Sequence, residues 1–206
     1  MAAVFSYGSK GVTTARLKGS GTEPLNIGWG LNPSALTAAV TDTALFDPST
    51  EARTAGTSSQ VTTNANIPND TYQVVGAVTA AGARVIQEVG LFDTATAAAQ
   101  TTLSAAITTT GQTSISVTSA ATFPGSGTYY VQIEDEVLAV TGGQGTTTWT
   151  VTRAQRGSSA ATHLINTPIV GGEACAGGNM FVHADHGAVT LATGDSISYT
   201  IKLEYA

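Results

Sequence analysis

The side chains best suited to chemistry fall in four places along the chain. His183-Ala184-Asp185-His186 is the sharpest, because imidazoles and a carboxylate this close together are the groups that hold a transition metal or move a proton. In a strand, His183 and Asp185 share a face and His186 points away, so three-ligand binding would need a bend or a ligand from another subunit, as on a threefold axis. A polar strand end entering the turn at Gly187 is the simpler reading, and no metal or other cofactor is expected. Glu134-Asp135-Glu136 offers oxygens to calcium but lacks the spaced ligands and glycine of a dedicated loop, so it reads as a solvated acidic hairpin turn. Arg153 and Arg156 stand before Gly157 at a spacing that could clamp a partner's carboxylate or bond turn carbonyls internally. Cys175 is the single cysteine, so there is no intrachain disulfide, and with no cation close by it reads as a small filler beside glycine-rich turns.

Motifs of catalysis are missing. The chain has no Gly-x-Ser-x-Gly elbow, no phosphate-binding Gly-Lys-Thr/Ser, no His-Glu-x-x-His and no Cys-x-x-Cys. Gly142-Gly143-Gln144-Gly145 lies between strand patterns and lacks a following lysine, which makes it a turn. Glu134 and Glu136 are the only paired carboxylates that could attack a glycan, and neighbouring turn acids seldom meet a sugar from opposite sides. An enzyme is not expected.

The elements that must position these groups are strands. From Ser196 to Tyr205, Ile197, Tyr199, Ile201, Leu203 and Tyr205 alternate with polar residues, the pattern of a sheet buried on one face. Thr71–Ala80 and Arg84–Phe92 flank Ala81-Gly82-Ala83 and read as a hairpin. Val12–Lys18 and Gln60–Asn64 are weaker strand candidates, and a short helix is expected where Asn32 caps, Pro33 opens the first turn, and Ala35, Leu36 and Ala39 follow. Ser114–Thr118, Thr128–Glu134, Val137–Thr141 and Thr148–Arg153, separated by turn residues, make a second β block. The strand ending Gly90-Leu91-Phe92-Asp93 would lead directly into Gly178-Asn179-Met180-Phe181-Val182 if the block were removed. The expected fold is therefore all-β, an antiparallel sandwich or meander core domain (1–96 plus 177–206) with a small all-β sandwich or barrel domain (97–176) inserted in a loop.

Composition narrows the function. Charged residues make up 11% of the 206-residue chain, less than half the roughly 25% usual for globular proteins. A surface of hydroxyls, methyls and backbone is cheap to desolvate and suits broad contact with other proteins. The net charge of −6 with eight Lys plus Arg leaves no basic field for phosphates, so no nucleic acid is expected as a partner. No stretch is long and apolar enough to cross a bilayer, and Met1–Gly11 lacks the charged-then-apolar pattern of an export signal, so no membrane partner is expected either.

Several segments carry a resemblance. Leu36–Asn64, Asn69–Ala80, Val85–Asp93 and the ending from Gly177 are similar to a group of bacteriophage virion proteins described as head-decoration or tail-fibre and collar-like proteins. Thr101–Thr141, with Trp149–Gly157 and His163, resembles a second phage β-module, whose presence between the Leu-Phe-Asp and Gly-Gly-Asn elements departs from the pattern of the first group. The resemblance implies a virion component assembled in the host cytoplasm: a decoration or cement protein that binds the major capsid protein, or another virion protein, as a homotrimer. The alternative it implies is a tail-fibre, collar or baseplate-associated adhesin, although the heptads or repeats of a shaft are not visible. Contacts are expected at the N-terminal arm (Ala2, Val4, Tyr7, Lys10), at Arg153 and Arg156, at His183 and Asp185, and along the edge of the last strand with Tyr205.

Overall fold

The computed structural model describes residues 2–32 and 35–204 and is all-β with antiparallel sheets. In chain order the elements are β1 (Ala2–Phe5), α1 (Ser9–Leu17), β2 (Asn26–Gly30), β3 (Thr54–Ala55), β4 (Thr57–Val61), β5 (Thr71–Thr79), β6 (Arg84–Phe92), β7 (Gln100–Thr102), β8 (Ser114–Ser116), β9 (Tyr129–Ile133), β10 (Glu136–Gly142), β11 (Thr148–Thr152), β12 (Pro168–Gly171), β13 (Met180–Leu191) and β14 (Ser196–Glu204).

Two sheets form a sandwich. One has the order β1-β13-β6-β2-β3 and the other β14-β5-β4. Ile27, Trp29, Val89, Leu91 and Val182 of the first pack with Val74, Val78, Tyr199 and Leu203 of the second in one buried cluster. The alternation in β14 works as its pattern dictates, with Tyr199 and Leu203 buried and Ser198, Thr200 and Lys202 exposed. The chain changes sheets at Gly56, between β3 and β4, and there the two layers touch: a Cβ on Gly76 would stand 2.8 Å from Ile27 Cδ1 and 3.0 Å from the Cα of Gly56.

Between β6 and β13 the chain builds a six-stranded sheet of order β7-β12-β9-β10-β11-β8. A bridge between Leu103 and Val117, flanked by Ser104 N to Ser116 O and Thr118 N to Thr102 O (both 2.9 Å), ties its first strand to its last and curls it toward closure. Trp149, Tyr129, Phe123, Ile115, Val131 and Leu138 fill its own core, and Tyr129 stands edge-on to Trp149 at 5.8 Å. The sheet's two ends are held together. Ala99 N donates to Ala176 O (3.2 Å), Asn179 N donates to the Asp93 carboxylate (2.8 Å), and Arg53 lies 3.3 Å over the Phe92 ring while donating to the carbonyls of Thr94 and Gly177.

Several local expectations are corrected. Thr71–Ala80 and Arg84–Phe92 are strands but not a hairpin: β5 pairs with β14 and β4, while β6 pairs with β13 and β2, so the turn at Ala81–Ala83 is a corner between sheets. Val12–Lys18 is helical, not a strand. Only Val12 reaches the core there, the backbone satisfies itself locally, and Gly19 at φ 79° ends the helix with Ser20 N bonded to Ala15 O and Gly19 N to Arg16 O. The helix expected after Asn32 does not form in residues 35–39, and Pro33 lies outside the described residues. Asn32 instead brackets a loop, bonding both the N–H and the carbonyl of Leu36. The N-terminal arm is not free, because β1 pairs with β13 from Ala2↔Asp185 to Phe5↔Val182.

The close approach at Gly76 sets a test. Gly76→Ala forces a methyl against backbone and Ile27 and should cost about 1–3 kcal/mol in denaturant unfolding, whereas Gly82→Ala, with open space around it, should stay within about 0.5 kcal/mol.

Candidate functional site

The outer face of the five-stranded sheet carries the most concentrated chemistry in the molecule. Glu88 of β6 and His183 of β13 project from it, and residues 38–49 run across it as an irregular strap. Glu88 has room because its partner on β2 is Gly30, where a Cβ would lie 2.1 Å from the Glu88 carboxylate.

His183 is fully buried. Its Nδ1 lies 2.7 Å from Asp42 Oδ2 and its Nε2 lies 3.0 Å from Glu88 Oε2, so each ring nitrogen faces a carboxylate. Burial alone would lower the imidazole pKa, but the hydrogen bonds and charges of Asp42 and Glu88 outweigh it and push it up to about 9. The ring is therefore an imidazolium near neutral pH and donates from both nitrogens. The carboxylates are satisfied in turn: Glu88 accepts from the N–H groups of Phe46 (3.0 Å) and Asp47 (2.9 Å), and Asp42 accepts from Ala39 N (2.7 Å). Phe46 covers the imidazole at 4.8 Å.

Gln132, on the outward face of β9, carries this network into the six-stranded sheet. Its side-chain oxygen accepts from Thr43 N (2.7 Å) and Ala44 N (3.0 Å), and its amide nitrogen donates to Asp42 (3.2 Å) and to Glu134 O (3.1 Å). Beyond it stands a second cluster. Glu136, buried at the start of β10, receives Arg153 at both oxygens (2.7 and 2.6 Å), the N–H groups of Ala154 and Ala161, and His163 Nε2 at 3.0 Å, while His163 Nδ1 faces Glu134 at 2.7 Å. Burial would raise the Glu136 carboxyl, but these donors hold it down at about 2. Between the two clusters, burial and then the charges of Asp42 and Glu134 push the Asp135 carboxyl up, and burial followed by Glu88 does the same to Asp47.

Chemically this is a clamp. A ligand or substrate at His183 would have to displace a carboxylate from one of its nitrogens, and the Glu136 oxygens are already filled by five donors. Among the described residues, no group of three or more His, Cys, Asp or Glu is arranged to hold a metal ion. Cys175, under the carbonyl of Tyr130 at 3.4 Å, is pushed up to about 12 by burial and stays a thiol.

The residues expected to contact partners are mostly engaged internally. His183 is not a polar strand end but the centre of the clamp; Glu134-Asp135 does form the expected hairpin turn between β9 and β10, with Asp135 exposed, but Glu136 belongs to β10 and is buried. Arg153 is buried on Glu136 and on the carbonyls of Gln112 and Ala161, so it offers nothing outward. Arg156 pairs with Glu173 and lies between the rings of Tyr130 (3.9 Å) and Tyr7 (4.9 Å), joining the N-terminal turn to the six-stranded sheet. Asp185 accepts from Ala38 N at 3.1 Å, Val4 is half-buried opposite His183, and Lys10 is exposed. Tyr205 lies outside the described residues, as does the side chain of Ala2.

Asp42, Glu88, Gln132 and His163 are the members that sequence reasoning did not assign to a site. One signal was present: Glu88 directly precedes the uncharged run Val89–Phe92 in β6, and a charge that shares the burial of such a run needs a partner.

Removing the imidazolium should leave two buried carboxylates facing each other, so His183→Ala is expected to cost about 3–5 kcal/mol in denaturant unfolding. A raised pKa stabilises fully below the unfolded value of 6.5 and is lost as pH rises through about 9. Glu136, lowered to about 2, stabilises above 4.5 and is lost as pH falls through about 2. Thermal unfolding across pH should therefore show the wild type losing stability between pH 7 and 10, and His183→Gln should flatten that limb while leaving the acid limb in place. No family model, curated protein or solved structure matches the chain.

Proposed function

We propose that this chain is a structural protein of a bacteriophage particle, a decoration or cement protein that binds the outside of the icosahedral head as a homotrimer seated on the major capsid protein. The observation that carries the reading is how the ionisable groups are used. His183, Asp42 and Glu88 are turned inward to hold the strap on the sandwich, and Glu136, His163 and Arg153 to close one end of the six-stranded sheet, a use that serves rigidity. What faces outward is a weakly charged β surface. On the outer face of the β14-β5-β4 sheet, Thr57, Ser59, Val75, Ala77, Ser198 and Thr200 lie side by side, with Lys202 and Glu204 near one end. Such a face costs little to desolvate against another protein. The sequence resemblance to phage virion proteins supports the same reading.

Quantitative mass spectrometry of purified particles tests it. The chain should occur in the same molar range as the major capsid protein, and stripped heads should regain both the chain and their resistance to heating when it is added back. A few copies per particle, lost together with the tails, would replace the head reading with the tail-fibre, collar or baseplate alternative.

A further inference from the structure

One carboxyl beside the clamp is uncommitted. Asp42, Glu88 and Glu136 are filled by hydrogen-bond donors, whereas the side chain of Asp47, half-buried in the strap, accepts no hydrogen bond among the described residues. The next residue is Pro48, and this is the one Asp-Pro step in the sequence. Such a step joins a nucleophile to a bond that it can break. The carboxyl belongs to the same residue as the carbonyl it would attack, so addition closes a five-membered ring with proximity supplied by the covalent chain. The proline nitrogen, part of a tertiary amide without an N–H, leaves as a secondary amine.

The fold grips this bond on both sides. Pro48 lies opposite Gly30 in an antiparallel bridge, where Leu31 N donates to the Asp47 carbonyl oxygen at 2.9 Å and Ser49 N donates to Trp29 O at 2.8 Å. The first donor faces the oxygen on which negative charge would build during attack. Gly30 permits the approach, since a Cβ there would lie 2.7 Å from that oxygen. Asp47 also lines a surface cavity of about 220 Å³ with Glu134, Asn166 and Thr167, large enough for water to reach it. Glu88 of β6, which accepts from Asp47 N, and Glu134, in the turn after β9, are the charged groups around it. Both are acids, and burial followed by the charge of Glu88 keeps the Asp47 carboxyl protonated above the ordinary aspartate range.

We propose that the bond between Asp47 and Pro48 is a self-cleavage site, cut once in mild acid by the Asp47 side chain. Asp47 Oδ adds to its own carbonyl carbon while Leu31 N–H holds the carbonyl oxygen. The carboxyl proton passes to the Pro48 nitrogen, the C–N bond breaks, and the cyclic anhydride left behind takes up one water to give the side-chain carboxyl and a new C-terminal carboxyl. Nothing is oxidised or reduced, and water is the only co-reactant. The cut parts residues 1–47 from 48–206 without dispersing them, because β1 stays paired with β13, β2 with β6 and Asp42 with His183. It frees the segment that leads from the strap to β3, with Pro48 as its new N-terminus. The inference concerns the chain's own backbone and stands whether the head or the tail carries it.

The test holds the full chain at about pH 4.5, where the Glu136 cluster still stabilises the fold, and follows it by denaturing electrophoresis and mass spectrometry. Fragments 1–47 and 48–206 should accumulate while size-exclusion chromatography still shows one species. In urea at the same pH the unfolded chain should be cut at least about tenfold more slowly, because the Leu31 donor and the burial that holds the proton are lost. Asp47→Asn, which removes the acid, and Asp47→Glu, which enlarges the ring, should each abolish the cut with near-ultraviolet circular dichroism unchanged. Pro48→Ala should slow it at least about tenfold by making the nitrogen a poorer leaving group. A chain still intact after days, an unfolded chain cut as fast as the folded one, or Asp47→Asn cut at the wild-type rate would each overturn the proposal.

Discussion

A buried imidazolium between two carboxylates is the contact on which the arrangement of this molecule rests. His183 belongs to the five-stranded sheet, Asp42 to the strap laid over it, and Glu88 to the neighbouring strand, so one ring fixes three separate stretches of chain. The geometry is demanding, because an uncompensated charge at such depth costs several kcal/mol. The surroundings meet that demand: Gly30 makes room, Phe46 seals the ring, and the backbone amides of Ala39, Phe46 and Asp47 take up the remaining carboxylate lone pairs. A strap with no regular secondary structure is thereby held in one conformation.

The same solution recurs a short distance away. Glu136 gathers Arg153, His163 and two backbone amides, and this closes the end of the six-stranded sheet where the loops around Thr109, Gln112 and Ala161 converge. Gln132 connects the two networks with an uncharged amide that both donates and accepts. An amide suits that position, since a further carboxylate would face Asp42 and the carbonyl of Glu134. With Arg156 between Tyr7 and Tyr130, and Arg53 spanning Thr94 and Gly177, polar contacts along several lines hold the six-stranded sheet against the sandwich.

Rigidity of this kind has a functional meaning for a protein proposed to sit in an assembly. Interfaces built from hydroxyls, small apolar groups and strand edges gain little per contact, so partner surfaces must arrive already ordered. Clamping through buried ion pairs provides that order without enlarging the hydrophobic core. It also explains why the residues that look most reactive are turned inward.

The chain's alternation by itself determined the all-β class, most of the long strands and the burial phase of β14, because a period of two leaves one wet face and one dry face whatever the partner. Which strands pair was decided only in three dimensions. The turn at Ala81–Ala83 joins two sheets, since Val74 and Val78 of β5 and Val89 and Leu91 of β6 bury the same core from opposite layers, a choice that local turn chemistry does not encode. Val12–Lys18 became helical, with Val12 the one of its apolar residues that reaches the core. His183 and Glu136 became buried only because Asp42, 141 residues from His183, and Arg153, 17 from Glu136, reach them through the fold. Whether a charged side chain lies in water or in a clamp depends on partners brought from distant stretches, and sequence spacing carries no record of them.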